Sequence, residues 1–358
     1  MHKNRLLFIL KNRESGSYGS WAYSPCGESL SSGLSNSVHF LVDMLNDNGI
    51  DAKVVTVKDN NDIDREVSKH KPTHVIIEAF WVVPEKFDVL KRLHPRVTWI
   101  ARNHSKSEFL ANEGIAFGWL MEYMKRGVKI ACNSTDSFND ILILAKTLDI
   151  PRWWDAVMYL PNHYPLHRFN EWEQWFFDLT DYRTSARIDI GCFGAIRPLK
   201  NHMNQALAAI CFADSIKGHL HFHVNGNRIE GSGEQILRNL RGLFDGLPHH
   251  HLVEHVWLGH AEFKKLVGRM DIVSQVSFSE TFNIVSADAV GEGVPVVGSK
   301  QIEWLPEASQ ADPNSVLDIK THYSQAWADM AFKTLTAKQR RGLEIYNKRS
   351  VISWTSQF

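Results

Sequence analysis

Short apolar runs that resemble buried strands alternate with helical patterns along the whole chain, and this alternation limits the possible folds more than any other feature. Strands covered by helices on both faces are continuous apolar runs, and they are typical of parallel sheets. The first half has such runs at residues 6–10, 52–57, 74–80, 97–102, 129–133 and 157–160. The helical patterns between them fall near residues 34–48, 62–69, 85–93, 106–126 and 135–148. The first half is therefore predicted to be one doubly wound α/β unit.

The second half repeats this architecture without repeating the sequence. Its apolar runs lie at residues 188–193, 220–224, 256–258, 272–277, 294–297 and 316–319. Its helical patterns lie near residues 201–214, 233–244, 261–268, 284–291 and 322–332. Residues 163–186 are rich in aromatic and charged side chains and lack strand alternation, so we place the boundary there. The prediction is a first domain over 1–165, a linker over 166–186 and a second domain over 187–358.

Composition supports a globular protein and excludes some partners. The 358 residues are 44% hydrophobic, and forty basic residues balance forty acidic ones, so no global positive field favours nucleic acid or anionic membranes. No apolar run reaches the length of a membrane span. Cys132 and Cys192 lie in apolar runs, and the four cysteines have neither metal-ligand spacing nor disulfide density. We therefore expect reduced core cysteines and a cytoplasmic location.

An acidic segment in the second half carries the strongest functional signal. Glu280 and Asp288 are eight residues apart, about two helical turns, so both carboxylates are predicted to face one cleft. A helix start between them leaves backbone N–H groups without intrahelical partners, and a phosphate suits that position. The residues predicted to surround this anion site are Thr281, Phe282, Asn283 and Ile284.

A basic segment precedes it in the same half. A strand ends at Gly194, a short loop carries Arg197 and Lys200, and a helical pattern follows. Both cations are therefore predicted to stand at the carboxyl edge of the sheet, where ligands of doubly wound sheets bind. Fixed cations at that edge suit an anionic ligand.

Together these two segments resemble the E-x7-E and G-R-x-x-x-K segments of retaining glycosyltransferases with the GT-B fold, in the large glycogen-synthase and sucrose-synthase-like group. The resemblance implies two Rossmann-like domains facing across a cleft, the second of which binds a nucleoside-diphosphate sugar. It implies that Arg197 and Lys200 hold the diphosphate, Glu280 the transferred sugar and Asp288 the ribose. Two residues depart from the family pattern: Asp288 replaces the usual Glu, and Asn283 stands where Gly is common.

Weaker resemblances add four positions. Asn225 and Gly226 resemble a family turn near the nucleobase, although Asn-Gly is also a common turn dipeptide. Gly33 ends a glycine-rich loop after the first strand and corresponds to a family glycine near the donor phosphate. His104 follows the fourth strand, where the family often has a histidine that contacts the donor sugar. Glu78 ends the third strand, where a purely structural role is favoured.

The resemblance implies a retaining transfer from a nucleotide sugar to an acceptor hydroxyl, in which the leaving phosphate helps to deprotonate the acceptor. We expect no metal, because the consecutive histidines 249–251 cannot share one face. We also expect no cofactor beyond the donor. A glycan, lipid, protein or modified nucleic acid all remain open as acceptors. Two rival predictions are a GT-B sugar-nucleotide epimerase and a degenerate GT-B binding or scaffold protein.

A C-terminal helix crossing back to the first domain is expected to be short or absent.

Overall fold

The computed structural model describes residues 4–12, 33–167 and 186–358. The chain divides into two compact units. The first unit consists of Met1–Tyr164, Ser279–Phe282 and Ile345–Phe358, and the second of Pro165–Phe278 and Asn283–Glu344. A single boundary was predicted, but two later segments of the chain group with the first unit. Most of the predicted linker lies outside the described residues.

The first unit contains a six-stranded sheet whose strand order is β2-β1-β3-β4-β5-β6, with every pairing parallel. Its strands are β1 (Arg5–Lys11), β2 (Asp51–Val57), β3 (His74–Glu78), β4 (Thr98–Asn103), β5 (Lys129–Cys132) and β6 (Val157–Tyr159). Its helices include α1 (Gly33–Asp47), α2 (Asp62–His70), α3 (Lys86–Leu93), α4 (Ser107–Leu110), α5 (Ala116–Lys125), α6 (Thr135–Thr147) and α7 (Trp153–Ala156). Helices cover both faces, and the interiors of β1, β3, β4 and β5 are buried, whereas edge strand β2 is partly exposed. The six predicted strands are confirmed.

The second unit contains a five-stranded parallel sheet in the order β11-β10-β7-β8-β9. Its strands are β7 (Arg187–Gly191), β8 (His219–Val224), β9 (His250–Glu254), β10 (Ile272–Gln275) and β11 (Val296–Gly298). Among its described residues, the α-helices are α8 (His202–Ser215), α9 (Gly233–Asp245), α10 (His260–Val267), α11 (Ile284–Gly291), α12 (Val316–Asp329) and the first part of α13 (Thr334–Gln357). Short 3₁₀ turns span Pro198–Lys200 and Glu307–Ser309. Each unit is thus a parallel α/β fold of the predicted class.

Three sequence predictions of secondary structure are wrong. The run 316–319 begins α12 instead of forming a strand, because Ser315 accepts a hydrogen bond from the Asp318 amide and caps a helix. The run 256–258 is not a strand, and the edge strand is β9, whose polar sequence gives no apolar signal. The predicted helix 106–126 is divided into α4 and α5, and Gly114 lies in the interruption.

Helix α13 is 24 residues long, contrary to the expectation of a short or absent crossover. Its last residues, Ile345–Phe358, group with the first unit. Trp354 is completely buried there, its ring lies 5.9 Å from that of Phe8, and its indole N–H donates to the Pro161 carbonyl at 2.8 Å. Among the described residues, no helix combines the length and apolar character that crossing a membrane requires.

Candidate functional site

The loop that carries the predicted cations leaves β7 through a glycine in a conformation that other residues avoid. Gly194 has φ +111°, and its amide donates to the Asn225 side chain at 2.8 Å. The Lys200 side chain passes over this glycine, with its Cε 4.0 Å from the position that a Cβ would occupy. Gly194 therefore lies beside Lys200, whereas the buried Asn225 fixes the turn.

Buried amide side chains hold the backbone of this loop. Gln205 of α8 is fully buried and donates to the carbonyl of Lys200 at 2.7 Å, while its oxygen accepts from the Val276 amide at 2.8 Å. Asn201 has φ +57° and donates to the Val276 carbonyl at 3.0 Å. The Phe278 amide also donates to the Leu199 carbonyl. The loop is thus fixed to the chain that follows β10.

A second buried amide joins this loop to the start of α11. Gln275 donates to the carbonyl of Phe193 at 2.9 Å and accepts from the Asn283 side chain at 2.9 Å. Asn283 is the N-cap of α11, with φ +56°, and its oxygen accepts from the Ser286 amide at 2.9 Å. The second unit therefore places the positive end of α11 beside the loop that carries Arg197 and Lys200. This combination is suited to a phosphate group.

Arg197 belongs to a half-buried ionic chain. It donates to Glu230 at 3.3 Å, and the other oxygen of Glu230 accepts from Arg228 at 3.1 Å. The guanidinium carbon of Arg228 lies 4.1 Å from the centre of the Trp257 ring. Glu230 therefore orients both guanidinium groups. The guanidinium of Arg228 lies over the ring of Trp257, which follows β9.

Asp288 is buried rather than open to a ligand. Its side chain is 2% exposed, and its Oδ1 lies 2.7 Å from Nε2 of His260, which is 23% exposed. The predicted helix start between the two acids is confirmed, because α11 begins at Ile284. Glu280 therefore precedes the helix, and the predicted separation of the two acids by two helical turns is wrong. Glu280 groups with the first unit and Asp288 with the second.

Gly226 has a packing explanation. A Cβ at this position would collide with the side chain of Glu254, which is paired with Arg241 at 2.6 and 2.7 Å. Close approach at this turn accounts for the glycine without a ligand.

In the first unit, His104 belongs to a buried ionic cluster at the ends of β3 and β4. Glu78 is fully buried, lies 2.7 Å from Nε2 of His104 and accepts from Arg102 at 3.1 Å. Arg102 also donates to Asn162 at 2.6 Å and lies 5.5 Å from the centre of the Trp354 ring. Burial opposes the charge of Glu78, but Arg102 and His104 outweigh it, so the pKa of Glu78 lies below its usual range. Glu78 therefore orients His104 in addition to stabilising Arg102.

The segment Ser279–Phe282 lies against the ends of β4 and β5. Thr281 donates to the His104 carbonyl at 3.1 Å and accepts from Asn133 at 3.2 Å. Phe282 is buried, with its ring 5.3 Å from that of Tyr346. Glu280 is half-buried and precedes Thr281, whose hydroxyl bonds the backbone of His104, so both predicted sugar contacts belong to the first unit.

Gly33 is the remaining residue of the first unit that was predicted to lie near the donor. Gly33 is the first residue of α1, and the rest of the glycine-rich loop lies outside the described residues.

His202 lies at the start of α8, immediately after the cationic loop, and is 1% exposed. Burial, with smaller contributions from Lys200 and Arg197, lowers its pKa to about 3. Neither of its ring nitrogens has a hydrogen-bond partner among the described residues. The ring is therefore neutral at ordinary pH.

Solved structures with this architecture extend over almost the whole chain. The N-terminal domain of Candida albicans trehalose-6-phosphate phosphatase matches with a TM-score of 0.66 and 10% identity, over 99% of this chain and 96% of that one. An α,α-trehalose-phosphate synthase (UDP-forming) from Burkholderia vietnamiensis matches with a TM-score of 0.65 and 10% identity, over 100% and 96%. The chain has the GT-B fold.

A third GT-B structure, HepE from Anabaena, matches with a TM-score of 0.60 and 11% identity, over 98% of this chain and 100% of that one. It was solved in complex with UDP, and also with UDP and glucose. No protein-family model matches the sequence. No curated protein matches it in sequence either.

The sequence prediction missed the residues that position the GT-B loops. Gln205 and Gln275 are buried amides, and His260 pairs with Asp288. Gln275 carried a usable signal, because a polar side chain at the end of an apolar strand needs a partner when it is buried. The pairing of His260 with Asp288 carried none, since the two residues are distant in sequence.

Proposed function

We propose that the protein transfers a glycosyl group from a nucleoside-diphosphate sugar to an acceptor hydroxyl. The observation that carries this proposal is the hydrogen-bonded link through Gln275, which joins the loop of Arg197 and Lys200 to the start of α11. Two cations and a helix N-terminus in one fixed arrangement match the charge of a diphosphate. The UDP complex of HepE supports this ligand class.

The same groups account for leaving-group stabilisation. As the bond between the anomeric carbon and the diphosphate oxygen breaks, the electron pair passes to that oxygen. Arg197, Lys200 and the first-turn amides of Ile284 and Val285 stabilise the resulting charge. Because Gln205 and Asn201 already fix the loop, little reorganisation is needed when this charge develops.

Glu280 and His104 are proposed to contact the transferred sugar. A carboxylate and an imidazole both suit sugar hydroxyls, and Glu78 holds His104 in one orientation. We further propose retention of the anomeric configuration, without a metal and without a covalent intermediate on the protein. The leaving phosphate would accept the proton of the acceptor hydroxyl. The acceptor class stays open among glycan, lipid, protein and modified nucleic acid.

The first test is turnover of UDP-glucose, UDP-N-acetylglucosamine, GDP-mannose and ADP-glucose, with released nucleoside diphosphate as the readout. Slow donor hydrolysis without an acceptor, accelerated by an acceptor mixture, supports transfer. The anomeric configuration of the product, read by proton NMR, decides retention. Interconversion of donor sugars without an acceptor would select an epimerase instead, and binding without any turnover would select a scaffold role.

A further inference from the structure

Four histidines form two pairs across the neighbouring strands β8 and β9 of the second unit, and we call this set the histidine ladder. The inner pair is His221 and His251, which lie opposite each other in the strand register, with ring centres 5.2 Å apart. The outer pair is His219 and His249, with ring centres 5.0 Å apart. The ladder lies at the amino ends of both strands, whereas the predicted donor site lies at the carboxyl edge of the sheet.

The four rings share the face of the sheet that is open to water here. Side chains alternate between the two faces of a strand, and His250 lies on the opposite face, where it is buried and pairs with Asp214 of α8 at 2.9 Å. Three rings of the ladder are exposed, and that of His221 is half-buried. None of the four rings has a hydrogen-bond partner among the described residues. Their nitrogens are therefore available to a ligand from solution.

The charges around the inner pair permit a cation to approach. Burial, followed by the nearby charge of Arg187, lowers the pKa of His221 below its usual value of 6.5, so this ring is neutral at about pH 7.5. Arg187 itself donates to both carboxylate oxygens of Asp189 at 2.7–3.0 Å, which compensates its charge. A neutral imidazole offers one nitrogen lone pair to a metal ion.

The spacing of the rings matches two ligands of one tetrahedral ion. A histidine nitrogen binds zinc at about 2.1 Å, so each ring centre lies about 3.2 Å from the ion and two such centres lie about 5.2 Å apart. The two pairs, at 5.2 and 5.0 Å, have this separation. Since the second side-chain torsion of histidine is broad, rotation can direct one nitrogen of each ring at the same ion.

We propose that each pair of the histidine ladder binds one divalent transition-metal ion of the zinc class, with water in the remaining positions. No group of three or more His, Cys, Asp or Glu side chains in the described part of the chain is arranged to hold a metal, so each site has two protein ligands. The sequence-based expectation of no metal rested on residues 249–251 alone, whereas the second ligand of each site comes from β8. Such an ion would tie edge strand β9 to β8 and would take no part in glycosyl transfer.

The test is titration calorimetry of zinc chloride into the full-length, tag-free protein at about pH 7.5. Magnesium chloride is the comparison, because magnesium prefers oxygen ligands. The variants are His251→Ala for the inner pair, His249→Ala for the outer pair, and the double variant. His39→Ala is the matched control, because His39 is an exposed histidine of the first unit. Thermal unfolding with zinc, before and after addition of a chelator, is the second readout.

We expect the wild-type protein to bind two zinc ions and no magnesium. Each single variant should keep one ion and bind the other at least about tenfold more weakly, because even the loss of an outer partner of a metal ligand costs that much. The double variant should bind both ions weakly, and His39→Ala should match the wild type. Zinc should raise the midpoint of thermal unfolding of the wild type but not of the double variant, and the chelator should reverse the rise.

Zinc binding by the double variant with wild-type stoichiometry and affinity would overturn the inference, as would an equal loss in His39→Ala. A single ion that is lost in either single variant would contradict the two-site geometry. If folded wild-type protein shows no saturable zinc binding, the inference is wrong, and the proposed glycosyl transfer is unaffected.

Discussion

Lys200 lies on a loop whose backbone is fixed by buried amides, so its side chain can be removed without releasing the loop. We expect Lys200→Ala to lower turnover by about 10²- to 10³-fold, the cost of removing one group that stabilises a developing negative charge. The far-UV circular dichroism spectrum should not change. Lys338→Ala, which alters an exposed lysine of α13, should keep wild-type turnover. Wild-type rates in Lys200→Ala would refute its assigned role.

Glu78 stabilises the first unit through Arg102, because neither side chain has access to water. Glu78→Gln leaves the Arg102 charge uncompensated and should lower the free energy of unfolding by about 3–5 kcal/mol. Urea unfolding measures this loss. The control is Glu85→Gln, since Glu85 is 73% exposed and lies 3.9 Å from Arg126. If both substitutions have equally small effects, the buried cluster does not stabilise the unit.

His202 makes stability depend on pH. Its pKa falls from 6.5 to about 3 on folding, so the unfolded chain binds one more proton between these values. Stability should therefore fall as pH falls through this window, by up to about 1.4 kcal/mol per pH unit from this group. His202→Gln should remove that part of the slope in urea titrations at several pH values. An unchanged slope would show that His202 protonates equally easily in both states.

At the scale of secondary-structure elements, Asn283 explains why this chain can replace a glycine at the start of α11. Asparagine is one of the few residues that take the left-handed conformation easily, and here its side chain also caps the helix and binds Gln275. Asn283→Gly keeps the backbone conformation but loses both hydrogen bonds, whereas Asn283→Ala also adds backbone strain. We expect losses of about 1 kcal/mol or more in stability, larger for Ala than for Gly. Thermal unfolding of the two variants measures the difference, and equal stabilities would contradict it.

The elements also show how far sequence reasoning reaches. Strands such as β1 and β3 have continuous apolar and buried interiors, at residues 6–10 and 75–77, so the parallel sheets were predictable. Edge strand β9 has the polar sequence His-His-Leu-Val-Glu and is recognisable only from its pairing with β8. The loop of Arg197 and Lys200 and the start of α11 were predictable, because glycines and charged residues occur in or beside these segments. The amides that join them were not, since their partners are set by tertiary structure.

At the scale of the whole molecule, the chain leaves the first unit and returns to it through two distant segments. The C-terminal segment contributes Trp354, which is buried against Phe8 and hydrogen bonded to Pro161. The first unit is therefore completed by residues that a single sequence boundary assigns to the second. Proteins whose structures match over the full length share this fold at about one-tenth identity, so patterns of burial, rather than residue identity, specify it.

Trp354→Ala tests whether the C-terminal segment is part of the first unit. Removing a fully buried tryptophan should lower the free energy of unfolding by about 3–5 kcal/mol. Trp154→Ala is the matched control, because Trp154 is 62% exposed and its loss should be nearly neutral. Hydrogen exchange should show increased opening in β1 and β4 of the Trp354 variant only. Unchanged exchange there would contradict this account of the unit.

The central claim is that the loop of Arg197 and Lys200, joined through Gln275 to the start of α11, binds a nucleoside diphosphate. Titration calorimetry of UDP, ADP and GDP into the wild-type protein and into Lys200→Ala tests it most directly. We predict saturable binding of at least one of them to the wild type, weakened about tenfold or more in the variant, as expected when one charged contact is lost. Absence of binding to folded wild-type protein, or equal affinity in the variant, would contradict the claim.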